Sequence, residues 1–465
     1  MKQVTARDAA YLYLGDGVAT ATVVSCQVVV NPADRPLELT EDRLLEWISE
    51  RIWISDLFDS KMIRLPADIG YPYWVPDPDF SASAHLKVHR NVGTWASAID
   101  LVEQFGDTPM DLSHAPWLMH VIPDVTGVPG HPGLCSLVVF RFHHIAFDGV
   151  TSATLGERVF GDGVVSDATR AEGRVVGTGT ASRAALTRRE LRRGPAVWTR
   201  FVKEGIGIVR ASRQRSRARP AGGRPHQRAW PVTRFNQEFR GPRTAGHILF
   251  DRADVLKMKS SVGGATVNDL MLSVVGQAVH DYLGRRNETP PSSLSALVPV
   301  STRGMREADA ANQFVPVVVD LVTTESDPRV RISLIAAETA RKKNRVKQKL
   351  AEQTTGFIDI VPAPVLRLLG SGRPRRKKSV APPRFNVVIT NLPGIARHGS
   401  VCGLDIVDSF TMQPVGSGAT LAHAISDRGD HIAMSITVDS AVMPDIGEYC
   451  QVVRESFEAH RATLI

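Results

Sequence analysis

The sequence predicts a two-part α/β or α+β protein, and three observations predict it. The chain has 465 residues, enough for two or three domains at about 100–200 residues each. Strand-like and helix-like runs mix in both halves. One strongly basic segment stands between them: Arg183 to Arg228 holds 14 Arg or Lys and two acids, Glu190 and Glu204. That segment alone carries +12, so the rest of a chain of net charge +8 carries −4. The expected organisation is an N-terminal lobe over 1–180, a basic linker over 181–230 and a C-terminal lobe over 231–465, each lobe a mixed sheet with helices.

Composition excludes several classes. A hydrophobic fraction of 43% and a charged fraction of 22% are those of an ordinary folded protein, not of a disordered, collagen-like or disulfide-scaffold chain. No apolar run reaches the roughly 18 residues that a membrane-spanning helix needs. Arg7, Asp8 and Asp16 interrupt any apolar stretch of a secretory leader. The four cysteines, Cys26, Cys135, Cys402 and Cys450, never stand as C-x-x-C. They read as free thiols of a cytoplasmic protein, not as a zinc site or disulfide framework. No histidine has metal-ligand spacing, so no metal is expected.

In the first half, Thr20 to Val30 is β-branched and reads as a strand. Thr40 to Leu57 reads as a helix, with acids in its first turn and Leu44, Leu45, Ile48 and Ile52 at helical spacing. Thr94 to Phe105 is a second helix and Leu118 to Ile122 a short strand. Leu134 to Phe142 is almost continuously apolar, which places it centrally in a sheet. In the second half, strands are expected at Ala245–Phe250, Leu294–Val300, Val315–Val322, Phe385–Thr390, near Ala422 and at His431–Val438. Helices are expected at Thr266–Leu283 and Pro328–Lys349.

Within the basic segment, Leu186 to Val209 fits a basic helix with an apolar stripe, broken at Gly194-Pro195. Arg213 to Arg228 has Pro and Gly without apolar period and reads as a mobile linker. A solvated connector and a patch held at an anionic lipid surface, with Trp198 and Phe201 in the interface, both fit the pattern. Nucleic acid fits less well, since no recognition motif accompanies the charge. Further basic clusters stand at Arg341–Lys349 and Arg373–Lys378.

The chemistry concentrates in His143-His144-Ile145-Ala146-Phe147-Asp148-Gly149, directly after the apolar strand. Adjacent side chains at a strand end point to opposite faces, so at most one histidine faces a given cleft. An imidazole with an unperturbed pKa near 6.5 suits general-base work near neutral pH. It can take a hydroxyl proton while that oxygen attacks an activated acyl carbonyl. No G-x-S-x-G elbow or cysteine-nucleophile signature competes with this one-step transfer. Asp148 either caps the next helix or pairs with a cation, and Gly149 permits the turn. Asn268 and Asp269 read first as a helix N-terminus, and Thr390 and Asn391 as a strand end entering a turn. Trp74 and Trp117 read as packing residues. His85, His114 and His423 have no assigned role.

The motif HHIAFDG resembles the active-site motif of the acyl-CoA-dependent acyltransferase superfamily, which includes nonribosomal condensation domains. The wider sequence resembles the bacterial wax ester synthase/acyl-CoA:diacylglycerol acyltransferase family. The matching stretches are Ala6 to Leu14, Tyr73 to Phe80 with His85, Asp111-Leu112 with Ala115-Pro116-Trp117, Thr266 to Asp269, Pro299 to Arg303 with Asn312, and Thr390 to Gly394. They run in the family's order along nearly the whole chain. Ala115, Leu118 and Ser426 to Gly429 depart from the family's pattern at positions that bear on acceptor choice or sheet packing.

The resemblance implies a two-lobed CoA-dependent acyltransferase-like fold with the site between the lobes. It implies His144 as base, His143 as mainly structural, and Asp148 holding the loop by pairing with an arginine such as Arg303. Gly149, Asn268, Asp269, Thr390 and Asn391 would then contact substrate. The implied reaction moves a fatty acyl group from acyl-CoA to diacylglycerol or a long-chain alcohol, with no bound cofactor. Its partners are acyl-CoA, a lipid hydroxyl acceptor and an anionic membrane or lipid-droplet surface, with peripheral attachment at the inner membrane face. Two alternatives stay open: a condensation-like or glycolipid acyltransferase with a carrier-bound donor, and a non-catalytic lipid-binding relative. The oligomeric state is not legible.

Overall fold

A computed structural model of the chain describes residues 1–14, 21–32, 39–147, 156, 158–161, 182–217, 229–301, 314–351, 357–371, 382–392 and 399–465. Asp148, Gly149 and Arg303 lie outside the described residues. So does the Arg373–Lys378 cluster.

Two six-stranded sheets organise the molecule. The first has the order β12 (Ser400–Val401), β13 (Leu404–Met412), β2 (Thr22–Val30), β7 (Cys135–His143), β6 (Trp117–Val125), β5 (Leu86–Val88). All nine residues of β7 are buried, as its unbroken apolar run requires of a central strand. The second has the order β10 (Phe314–Asp320), β9 (Ser295–Ser301), β11 (Val387–Leu392), β14 (Leu421–Asp427), β15 (His431–Asp439), β8 (Arg243–Asp251). A small third sheet joins β1 (Lys2–Gln3), β4 (Tyr73–Pro76) and β3 (Ser60–Ile63).

Threonines start three helices of the first half, two of them at Thr40 and Thr94 as the sequence suggests. Thr5, Thr40 and Thr94 accept backbone N–H bonds at the starts of α1 (Ala6–Tyr13), α2 (Glu41–Ser49) and α3 (Trp95–Asp107). Each satisfies a donor that the first helical turn leaves without a partner. Helix α2 ends at Ser49 and gives way to a 3-10 turn at Ile52–Ile54, short of the expected Leu57. Arg51 takes the Trp47 carbonyl there through Nη1 at 2.9 Å.

The basic segment departs from expectation. Helix α4 (Arg183–Arg217) runs through Gly194-Pro195 without a break. Pro195 removes one helical hydrogen bond, but the helix is held to the body on both sides of it. Leu186 and Glu190 are buried before the proline, and Phe201 packs against the first core after it. Phe201 therefore faces inward, whereas Trp198 is exposed.

A strand and two helices of the second half cross the division at the basic segment. β13 pairs with β2 from Ile406↔Val29 to Met412↔Val24, so a strand from the second half completes the first sheet. Helices α8 (Phe357–Ile360) and α9 (Ala363–Ser371) also pack on α1 of the first half. Arg7 forms a two-pronged ion pair with Asp359, at 2.5 and 2.9 Å. Tyr13 donates to Asp68 at 2.9 Å, and Asp68 also meets Arg64 and Arg367.

A buried arginine locks the two sheets together. Arg243 opens β8 and is 1% exposed. Its Nε donates to Asp107 at 3.0 Å and its Nη1 to the Thr22 carbonyl at 3.0 Å. Nη1 also donates to the Gln413 carbonyl at 3.3 Å, and Nη2 to the Gly106 carbonyl. Beside it, Glu103 accepts from Thr244 Oγ1 and the Ala245 amide at 2.7 and 2.8 Å.

Candidate active site

The histidine pair sits where β7 leaves the sheet. The His143 amide donates to the Pro116 carbonyl at 3.1 Å and the His144 amide to the Ala21 carbonyl at 2.9 Å. Successive amides thus hold the strand end from both neighbouring sides. Alternation puts His143 on the α3 face of the sheet with Val139 and Arg141, and His144 on the opposite face with Phe140 and Phe142.

The two rings have different surroundings. His143 is buried, and its Nδ1 accepts the Ile145 amide proton at 3.1 Å. Burial, with His144 beside it, lowers its pKa to about 4, because removing an imidazolium from water disfavours the charged form. At neutral pH it is an uncharged acceptor that shapes the turn, and Ala146 closes that turn by donating to the His143 carbonyl at 3.0 Å. Ile145, Ala146 and Phe147 then enter the core at 1% exposure.

His144 is half-buried. Its ring lies flat on Tyr11, with centroids 4.2 Å apart and planes 11° from parallel. Tyr11 is on α1, the helix that Arg7–Asp359 and Tyr13–Asp68 tie down. The imidazole plane is therefore set by a helix that is itself fixed by both halves of the chain. Sequence reasoning singled out the stretch around Tyr11 but assigned that ring no part in the site. Nothing in its spacing points to position 144.

The other sequence-predicted residues lie in the second half. Asp269 stands in the first turn of α6 (Val267–Arg285) in a reciprocal cap with Thr266. One carboxylate oxygen accepts from the Thr266 amide and hydroxyl at 2.9 and 2.6 Å. The other accepts from Thr339 at 2.7 Å, on α7 (Pro328–Ala351). Asn268 is buried beside it, and its Oδ1 has no hydrogen-bond partner among the described residues. Thr390 is half-buried and Asn391 exposed, opposite Ala424 and Ile425 of β14. β11 pairs with β9 only through Val387 and Val388, so these strands part before Thr390.

The remaining candidates are structural. His85 holds the Trp117 carbonyl at 2.7 Å and stacks on that indole. His423 is fully buried against the Tyr449 hydroxyl at 2.8 Å, and burial lowers its pKa to about 4. Trp74 and Trp117 are core residues. All four cysteines are buried, and burial pushes the Cys402 and Cys450 thiols up to about 11. Among the described residues, no group of three or more His, Cys, Asp or Glu is placed to hold a metal ion. Nor is any helix there long and apolar enough to cross a membrane.

The chain is similar along most of its length to known proteins. A putative diacylglycerol O-acyltransferase of Mycobacterium tuberculosis is 26% identical over 98% of this chain and 96% of its own length. A second, from Mycobacterium bovis, is 28% identical over 78% of this chain and 76% of its own. The wax ester synthase/diacylglycerol acyltransferase of Marinobacter aquaeolei shares the fold at a TM-score of 0.66 and 17% identity, with 99% of both chains covered. The starter condensation domain of rhizomide synthetase in complex with C8-CoA shares it at a TM-score of 0.54 and 13% identity, covering 100% of this chain and 95% of that one. Residues 310–460 match the WS/DGAT C-terminal domain. Residues 4–271, which contain the histidine pair and the helix start at Asn268, match the wax ester synthase/diacylglycerol acyltransferase catalytic domain, and on that match this chain is an O-acyltransferase belonging to that family.

Proposed function

We propose that the protein transfers a fatty acyl group from acyl-CoA to the hydroxyl of diacylglycerol, or of a long-chain alcohol, with His144 as the general base. The observation that carries this reading is the contrast within the pair. His143 is buried, neutral and turned to the backbone, while His144 is half-buried on a fixed aromatic platform.

His144 takes the acceptor's O–H proton as that oxygen attacks the thioester carbonyl. The tetrahedral intermediate collapses with loss of the CoA sulfur, which receives the proton from the imidazolium. The products are an ester and free CoA, and no acyl-enzyme is formed. The family resemblance assigns Asp148 and Gly149 to the same site. Asn268 offers a buried acceptor, and Thr390 and Asn391 flank the gap opened where β9 and β11 part. Asp269 fixes the helix start that carries Asn268. The partners are acyl-CoA and a lipid hydroxyl acceptor, met at the cytoplasmic face of a membrane or lipid droplet.

The test is product identification. Purified protein is incubated with labelled palmitoyl-CoA and a panel of diacylglycerol, hexadecanol and glycolipid acceptors. Triacylglycerol or wax ester formed with equimolar CoA release supports the reading. Ester formed only from a carrier-bound donor, or no ester with any acceptor, overturns it.

A further inference from the structure

Helix α4 has two faces. Its inner face, with Leu186, Glu190 and Phe201, holds it to the first half: Leu186 packs with Tyr73 and Val75, and Glu190 accepts the Tyr73 hydroxyl at 2.5 Å. Its outer face carries Leu191, Trp198, Val202, Ile206 and Val209, each 44–62% exposed. At 3.6 residues per turn these five fall within an arc of about 80°, over a length of about 27 Å. Exposed apolar side chains scattered singly need no explanation, but a straight row of them does.

Charge lies along the same row. Arg188, Arg192, Lys203 and Arg210 flank one side of the apolar stripe and are exposed. Arg188, Arg189, Arg192 and Arg193 also line a shallow depression at the helix's N-terminal end. The only acids in the helix sequence are Glu190, buried, and Glu204, which pairs with Arg200 at 2.8 Å. Two more exposed apolar residues, Leu368 and Leu369, stand on α9, just beyond α8, which packs against α4.

We propose that the outer face of α4 is a membrane-docking surface that lies flat in the headgroup region of an anionic bilayer. The apolar row enters the acyl boundary, and the arginines and Lys203 meet lipid phosphates. Such a helix binds through buried apolar area together with attraction to anionic lipid. An acidic carrier protein is the competing partner for the charge. It offers a small convex surface, whereas a straight apolar row of this length, with a tryptophan in it, suits an extended planar one. The proposal borrows from the acyl-transfer reading only that the acceptor is a membrane lipid, and its primary readout needs no turnover.

The full chain is sedimented with vesicles of phosphatidylcholine alone and with vesicles in which about a third is phosphatidylglycerol. Wild type is expected to bind the anionic vesicles at least tenfold more tightly, and more weakly as salt rises. Arg188→Gln/Arg192→Gln/Lys203→Gln/Arg210→Gln is expected to lose at least tenfold on anionic vesicles. Trp198→Ser/Val202→Ser/Ile206→Ser is expected to lose binding at every salt concentration. Lys257→Gln/Arg454→Gln, with the charge removed elsewhere, is expected to bind as wild type does. Turnover with dissolved hexanol is expected to stay unchanged in the α4 variants while turnover of vesicle-borne diacylglycerol falls. If both vesicle types bind wild type equally, or both α4 variants bind as wild type does, the proposal is wrong. It is also wrong if an acidic acyl carrier protein binds with the same sensitivities and vesicles do not bind.

Discussion

His144 and Arg243, from opposite halves of the chain, hold successive carbonyls of one strand start. The His144 amide donates to Ala21 at 2.9 Å, and Arg243 Nη1 donates to Thr22 at 3.0 Å. Thr22 is also the register partner of His143 in the sheet. The joint between the lobes and the backbone of the proposed base are therefore one hydrogen-bonded unit. A shift of one lobe against the other is felt at His144 through two adjacent peptides.

Arg243→Met keeps an unbranched apolar stem and removes the guanidinium with its charge. It takes the guanidinium from three carbonyls and from Asp107 Oδ1, while Asp107 Oδ2 keeps the Arg243 amide at 2.9 Å. A buried ion pair broken on one side costs about 3–5 kcal/mol. A fall of that size in unfolding free energy, read from the urea midpoint, is expected, together with reduced turnover. An unchanged midpoint would mean that the latch contributes nothing.

Tyr11 meets His144 through ring contact, and phenylalanine keeps that ring. Tyr11→Phe is expected to retain near-normal kcat. Tyr11→Ala is expected to lower kcat roughly 10- to 100-fold, the cost of a misplaced catalytic group, with KM for acyl-CoA little changed. Equal losses in both variants would assign the effect to the hydroxyl instead.

Arg7 and Asp359 tie α8 to the helix that bears Tyr11. Both are partly exposed, at 27% and 21%, so their coupling is expected to be about 1 kcal/mol. A double-mutant cycle with Arg7→Ala and Asp359→Ala measures it in thermal unfolding. Strict additivity would contradict a direct interaction.

Acid should destabilise the protein through its buried histidines. His143, His423 and His460 have folded-state pKa values lowered by burial to about 4 from 6.5. The unfolded chain then binds more protons between those values, so stability falls as pH drops from about 6.5 towards 4. His143→Asn is expected to flatten this dependence in Tm measurements. An identical slope would show that His143 is protonated in the folded state.

Legibility followed where the physical cause lay. β7 was readable because a strand buried on both faces must be apolar throughout. The start of α6 was readable because Thr266 and Asp269 cap it within three residues. β13 was not, because Asp405, Asp408 and Ser409 interrupt its apolar pattern. Asp408 is nevertheless buried, since His247, far away in sequence, meets it at 2.8 Å. The continuity of α4 through Pro195 depends on packing of Leu186 and Phe201 that local propensity does not contain. Arg243 gave no signal at all: every group it holds is more than a hundred residues away. The histidine pair was legible as a motif. That one ring is a neutral turn acceptor and the other lies on Tyr11 became visible only from the fold.

The most direct measurement is the rate of CoA release from palmitoyl-CoA with diacylglycerol by His144→Ala, compared with wild type at equal folded fraction. A general base contributes about 10²–10⁴-fold, and a loss within that range in kcat is the predicted result. An alanine variant that releases CoA and forms ester at the wild-type rate would contradict the role of His144.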